Sequence, residues 1–318
     1  MKRNPMIALL AAVLCVAVTA LADDYYFSAT GNDTSGEGSQ DNPWQTIDKL
    51  NTLDLNPGDN VYFRAGDMFI GKIMLDVSDS ATDPAGTLTG APVTLSSFGG
   101  DTRPVISSPS DHGLHAVDAG GIEVRGLEFS GGGNVTEASN TTNGLFFENS
   151  QSHFRLQHVY IDDVVVHGFG EAGIKVHATN PSTHAGGFQD VRIIHTEVHD
   201  IGAHGILTSV SSDSGMVIDG STFDYQSRAH ADVYIAHNVV HHTTGKIEKS
   251  GGNGIILPQV DGAIIERNVV HDDGGVAGGG GFAMWAWEAN NVIIQFNEAY
   301  GNKSLGGGDG GGFDSTAA

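Results

Sequence analysis

The 318-residue sequence predicts an all-β chain, a right-handed parallel β-helix of stacked three-strand coils with an N-terminal capping segment. Three observations carry this. A nine-residue unit recurs without internal gaps as IEVRGLEFS from Ile122, VYIDDVVVH from Val159, VRIIHTEVH from Val191, VYIAHNVVH from Val233, AIIERNVVH from Ala263 and VIIQFNEAY from Val292, at intervals of 29 to 42 residues. Its first and third positions are aliphatic and alternate with polar residues, the period of a strand with one buried face, and an Asn column at Asn238, Asn268 and Asn297 marks a corner where bonds to the rungs above and below are available. After each unit a short strand is led by glycine: GLFF at Gly144, GIKV at Gly173, GILT at Gly205, GIIL at Gly254, GFAM at Gly281 and GGFD at Gly311.

Lys2 and Arg3 precede an apolar run over residues 6–18, and Ala20-Leu21-Ala22 supplies small residues for cleavage. Residues 1–22 therefore read as a secretory signal peptide; the run is shorter than the ~20 residues a membrane span needs. Cys15, the only cysteine, falls in that segment, so no disulfide or Cys metal site is expected afterwards. Residues 23–60 read as a strand at Tyr25-Tyr26-Phe27, a Gly/Ser-rich loop and a short amphipathic helix from Pro43 to Leu50 that plugs the first coil. Further strands open at Val61, Ile73 and Val93, and residues 61–318 form the β-helix. The chain stops inside the sixth copy with an open rung, which predicts a truncated sequence with part of its site beyond residue 318.

Without residues 1–22 the chain carries 13 Lys and Arg against 38 Asp and Glu, about −25. Such a surface repels nucleic acid and anionic lipid, and it disfavours acidic polysaccharides unless Ca²⁺ or a basic patch reverses the sign locally. No nucleic-acid partner and no membrane association after signal cleavage are expected; a secreted or periplasmic monomer is.

The block over residues 31–71, GND, DNPW, TIDKLN and PGDNVYFRAGD, followed by the repeats, resembles secreted β-helix proteins of the pectate-lyase-like superfamily. Polysaccharide lyases, glycoside hydrolases and uronan epimerases share that scaffold, so the resemblance implies a fold more than a reaction. It also implies a sugar groove along the Gly-led strands and the loops before them. Asp162-Asp163 and Asp272-Asp273 resemble the double Asp of polygalacturonases, and Ala203-His204-Gly205 their Gly-His-Gly; the Arg-Ile-Lys element is absent, as is a pectate-lyase arginine motif.

Alternation places Lys175, His177, Leu207, Ser209, Ile256, Ala283, Trp285 and Asp314 outward on those strands, and the preceding loops carry Asp200, His204, Asp272, Asp273 and Asp309. A lyase needs a base and a cation to neutralise the sugar carboxylate; Lys175, with His177 beside it, is the base candidate, and Asp309 and Asp314 with the Asp272 and Asp273 pair offer hard oxygens for Ca²⁺. A hydrolase would use two carboxylates, one kept protonated by crowding, drawn from the same Asp set with His204 nearby. Trp285 and Trp287 share one face and suit stacking on sugar rings. The column His167, His199, His241, His271 fits either a metal or substrate string or, as repeats often give, a plain stacking ladder. The reading is an extracellular carbohydrate-active protein that cleaves a polysaccharide, by Ca²⁺-assisted β-elimination of a uronate or by an Asp-pair hydrolysis, with non-catalytic glycan binding as the third alternative.

Overall fold

The computed structural model describes residues 22–151, 154–179, 186–211, 228–246, 251–275, 281–304 and 310–316, with side chains as far as residue 313. Residues 1–21 of the expected signal peptide lie outside them. Three all-parallel sheets form a right-handed β-helix. The first sheet has nine strands, from Asp24–Phe27 to Asn290–Gln295; the second has eight, from Met68–Ile70 to Glu298–Tyr300; the third has eight, from Ile73–Leu75 to Gly311–Thr316. The coils begin at Asn60–Arg64, so two of them precede the first recognised repeat copy.

The repeat frame is the pairing register. Ile122 lies opposite Val159, Val159 opposite Val191, Val191 opposite Val233, Val233 opposite Ala263 and Ala263 opposite Val292. Their aliphatic side chains fill one continuous core, with Val159, Ile161, Ile235 and Ile265 fully buried. At the corner the left-handed conformation falls on the residue before the asparagine, on His237, Arg267 and Phe296, rather than on the asparagine itself. That frees each asparagine to bond along the stack. Asn238 Nδ2 donates to Asn268 Oδ1 at 2.9 Å, and Asn268 Nδ2 to Asn297 Oδ1 at 3.0 Å. Each Nδ2 also donates to a core carbonyl below, Ile193, Ile235 or Ile265.

The leading glycines answer a packing demand. A Cβ at Gly144, Gly173, Gly205 or Gly254 would lie 2.2 to 2.4 Å from a Cγ1 of Val166, Val198, Val240 or Val270 in the next coil. In the seventh coil the equivalent residue is Ala283, not Gly281, because Ile255 pairs with Met284. The next coil there carries Ala299 opposite Val270, so a methyl group fits. Ala283 is accordingly in the core, not on the outer face as alternation predicted.

The N-terminal helix is shorter than predicted, Ile47–Leu50 with Thr46 as N-cap. Trp44 remains extended because its backbone bonds Tyr26 and Ser28, and Asp33 accepts from the Gln45 and Thr46 amides. Ile47 and Leu50 are buried in the main core. Among the described residues no helix is long and apolar enough to cross a membrane.

Candidate functional site

The outer face of the third sheet is where successive rungs bring chemistry together. One column runs through His115, Phe146, Lys175, Leu207, Ile256 and Trp285, each opposite the next. The neighbouring column holds Glu148, His177 and Ser209, with Trp287 above Pro258 at its far end.

His115 stacks on Phe146 at 4.6 Å, and Lys175 Nζ lies 5.2 Å from the centroid of the same ring. His115 Nε2 bonds Glu148 Oε2 at 2.9 Å, and Thr179 Oγ1 also donates to Glu148. The bond from His115 outweighs burial and, with Thr179, holds the Glu148 carboxyl down at about 2. His177 sits between Ser209 Oγ at 2.8 Å and Ser211 Oγ at 3.2 Å, and burial next to the Lys175 charge lowers it to about 4.

The loops before these strands close in from the side. Gly170 has no room for a side chain, since a Cβ would lie 2.2 Å from the Asn140 carbonyl oxygen. This close approach lets Lys246, only 1 % exposed, reach both Asn140 O and Glu171 Oε2 at 2.7 Å. Burial raises the Glu171 carboxyl, but the bond and charge of Lys246 prevail and hold it below the usual carboxylate range. Lys175 is itself drawn below the ordinary lysine value, first by desolvation and against the pull of Glu171 and Glu148. His204, bonded through Nδ1 to Asn253 Nδ2 at 3.2 Å, is pushed to about 4 by burial. His112 is likewise lowered to about 4 by burial and by His115.

Of the residues singled out from sequence, Lys175, His177 and His204 therefore share one electrostatic cluster. Trp285 and Trp287 lie on the same face with rings 6.5 Å apart, but three rungs from Lys175, roughly 14 Å at ~4.8 Å per rung. Trp287 is 46 % exposed, whereas Trp285 packs on Leu207 and Ile256, which point outward and are nonetheless buried. Asp272 stands exposed at the corner after the second sheet, bonded to His271 Nδ1 at 2.9 Å. Asp273 beside it is 1 % exposed and accepts from the Thr243 amide at 2.7 Å. Neither is brought to Lys175. Asp309 lies outside the described residues, as does the Asp314 side chain, so the expected Ca²⁺ site stays a proposal. Among the described residues no three His, Cys, Asp or Glu side chains are grouped to hold a metal ion.

The histidine column is a face-to-face stack on the second sheet. His167, His199, His241, His271 and Tyr300 follow one another at 4.9, 5.1, 4.9 and 4.8 Å. Glu128, Asp200, Glu197 and Asp272 each bond one of the four imidazoles.

Sequence reasoning passed over Phe146 and Glu148, although the alternation that found Lys175 and His177 applies equally to GLFFEN. Glu171 and Lys246 sit in loops of irregular length, where no periodicity marks them.

No family profile matches the chain. A lacto-N-biosidase of Bifidobacterium longum subsp. longum is 23% identical over 93% of this chain and 23% of its own length. The solved structure of a GH136 lacto-N-biosidase from Eubacterium ramulus superposes with a TM-score of 0.67 at 18% identity, covering 92% of this chain and 55% of that one. The chain thus spans about a quarter of the curated relative it matches and about half of the solved one. At such identity the likeness establishes the architecture: this chain is a right-handed parallel β-helix, as pectate-lyase-like proteins are.

Proposed function

We propose that this chain is the β-helical part of a secreted glycoside hydrolase, with its sugar chain laid along the outer face of the third sheet between Phe146 and Trp287. The single observation that carries the reading is the charged cluster on the third sheet, where Lys175, 5.2 Å from the Phe146 ring and with His177 and Glu148 in the neighbouring column, feels the charges of Glu148 and Glu171 beside the buried ring of His204. The match to lacto-N-biosidases over nearly the whole chain supports hydrolysis over other reactions, and suggests an oligosaccharide bearing amino sugars as substrate.

In this reading Glu148, pinned in its ionised form by His115 and Thr179, stabilises positive charge developing at the anomeric carbon. Glu171, held charged by Lys246 with help from His204 and Lys175, is the base that takes the proton of the attacking water. Trp287, half exposed, stacks on a sugar ring further along. Secretion through residues 1–22 and a monomeric state belong to the same proposal.

A second reading is favoured by one feature. Desolvation makes Lys175 a weaker holder of its proton and so a better general base, which suits β-elimination of a uronate. The test is to incubate the protein with lacto-N-biose-terminated oligosaccharides, neutral glycans and uronans, with and without chelator, following reducing ends and ultraviolet absorbance together. Reducing ends without absorbance, lost by at least ~100-fold in Glu148→Gln, support hydrolysis. Absorbing products lost in Lys175→Ala support elimination. No product on any substrate leaves glycan binding alone and ends both readings.

A further inference from the structure

We propose that the N-terminal corner of the β-helix carries a second saccharide site, for a neutral sugar ring, on a different face from the third-sheet trough. A cavity of about 540 Å³ opens there between the loop after the first strand and the ends of first-sheet strands, within the range of small-molecule pockets. The loop that walls it is pinned. Asn32 Oδ1 accepts from the Thr34 and Ser35 amides at 2.8 and 2.9 Å, Asn42 Nδ2 donates to Ser35 O, and Trp44 Nε1 donates to Gly36 O at 3.0 Å. A concavity held this way is preformed and loses little entropy on binding.

Its floor comes from Arg64 and Phe98, which lie opposite each other in adjacent rungs. Phe98 meets Tyr26 edge-on at 5.1 Å, and Tyr26 stacks on Tyr62 at 4.9 Å, so an aromatic strip continues from the cavity along the outer face of the first sheet. Gln40, Asp41 and Arg64 are exposed, and their side chains make no hydrogen bond or ion pair among the described residues. An unengaged carboxylate, guanidinium and amide around one space beside an aromatic ring match a polyhydroxylated ring. The carboxylate accepts from neighbouring hydroxyls, the guanidinium donates to sugar oxygens, and the C–H face of the ring rests on Phe98. Asp41 and the chain's net charge of −23 oppose an anionic sugar, which selects neutral ones.

Arg64 and Phe98 belong to the first sheet and Lys175 and Trp287 to the third, so the site works independently of cleavage. Saturation-transfer NMR and calorimetry with methyl β-galactoside, methyl β-N-acetylglucosaminide and methyl glucuronide test it. The expected result is binding of at least one neutral glycoside, weaker binding of the glucuronide, and a loss of roughly tenfold or more in the Asp41→Ala, Arg64→Ala double variant with unchanged melting temperature. Trp287→Ala should leave that binding intact. Binding that survives the double variant but fails in Trp287→Ala, or no binding of any probe to the wild-type chain, overturns the proposal. Activity lost in Glu148→Gln with glycoside binding retained would separate this site from the catalytic one.

Discussion

Asp273 and Asn302 occupy the same corner in successive coils, with the Asp273 amide donating to Asn302 Oδ1 at 2.9 Å. Asn302 Nδ2 in turn donates to Val270 O at 3.3 Å, whereas the equivalent atom of Asp273 is Oδ2, a buried acceptor with no partner among the described residues. An acid therefore stands where the ladder takes an amide. Desolvation raises its carboxyl to about 8, against the pull of the Thr243 amide. A folded value above the unfolded one of ~3.9 means that its contribution to stability is full below about pH 4 and is lost as pH rises through about 8. Asp273→Asn should stabilise the fold by an amount that grows across that window, on the order of 5 kcal/mol by pH 8. Thermal melts of both proteins at pH 4 and pH 8 check this; an equal difference at the two pH values would refute the assignment.

His230 is one of four buried imidazoles, with His112, His177 and His204, that weaken the fold from the acid side. Its ring is fully buried, with Nε2 donating to Ser209 O at 3.1 Å and Nδ1 accepting from the Phe188 amide at 3.3 Å. A second proton would face a donor, and burial holds the group down to about 4. With the folded value below the unfolded ~6.5, stability is full above pH 6.5 and falls by on the order of 3 kcal/mol as pH drops through 4. His230→Gln should flatten that limb of an acid titration followed by circular dichroism, and an unchanged limb would assign it elsewhere.

The pair of Lys246 and Glu171 is a case where removing one partner costs more than removing both. Glu171→Gln leaves a buried ammonium with only neutral oxygens to face, Asn140 O and the amide oxygen at 171, which should cost about 3 kcal/mol in urea unfolding. Lys246→Met added to it should recover most of that loss. A double variant no more stable than the single one would show that the charge was not the problem.

Asn268→Ala removes an acceptor used by both the amide and the side chain of Asn238, and a donor to Ile235 O. The expected loss is about 2–4 kcal/mol, read from the denaturant midpoint.

The coil period, the pairing register and the core could be read from letters alone because a β-helix repeats one geometry at every rung. Ile235 over Ile265 and Asn238 over Asn268 follow once the nine-residue frame is found. The same frame places Lys175 and His177 outward. It misjudges Ala283, because the pocket beside that residue depends on Ala299 in the next coil. It also misjudges the helix at Pro43, because Trp44 is claimed by the first strand.

Loop residues obey no such period. That Glu171, Lys246 and His204 meet follows from loops of unequal length folding over Gly170, a matter of contact rather than spacing. Local sequence determined that this chain stacks coils, and which side of each strand is greasy, since those properties depend only on neighbours two residues apart or one rung away. Which acids stay charged, which lysine loses its solvent and which aspartate hides in a ladder were decided by tertiary packing, because burial is a property of what lies on top.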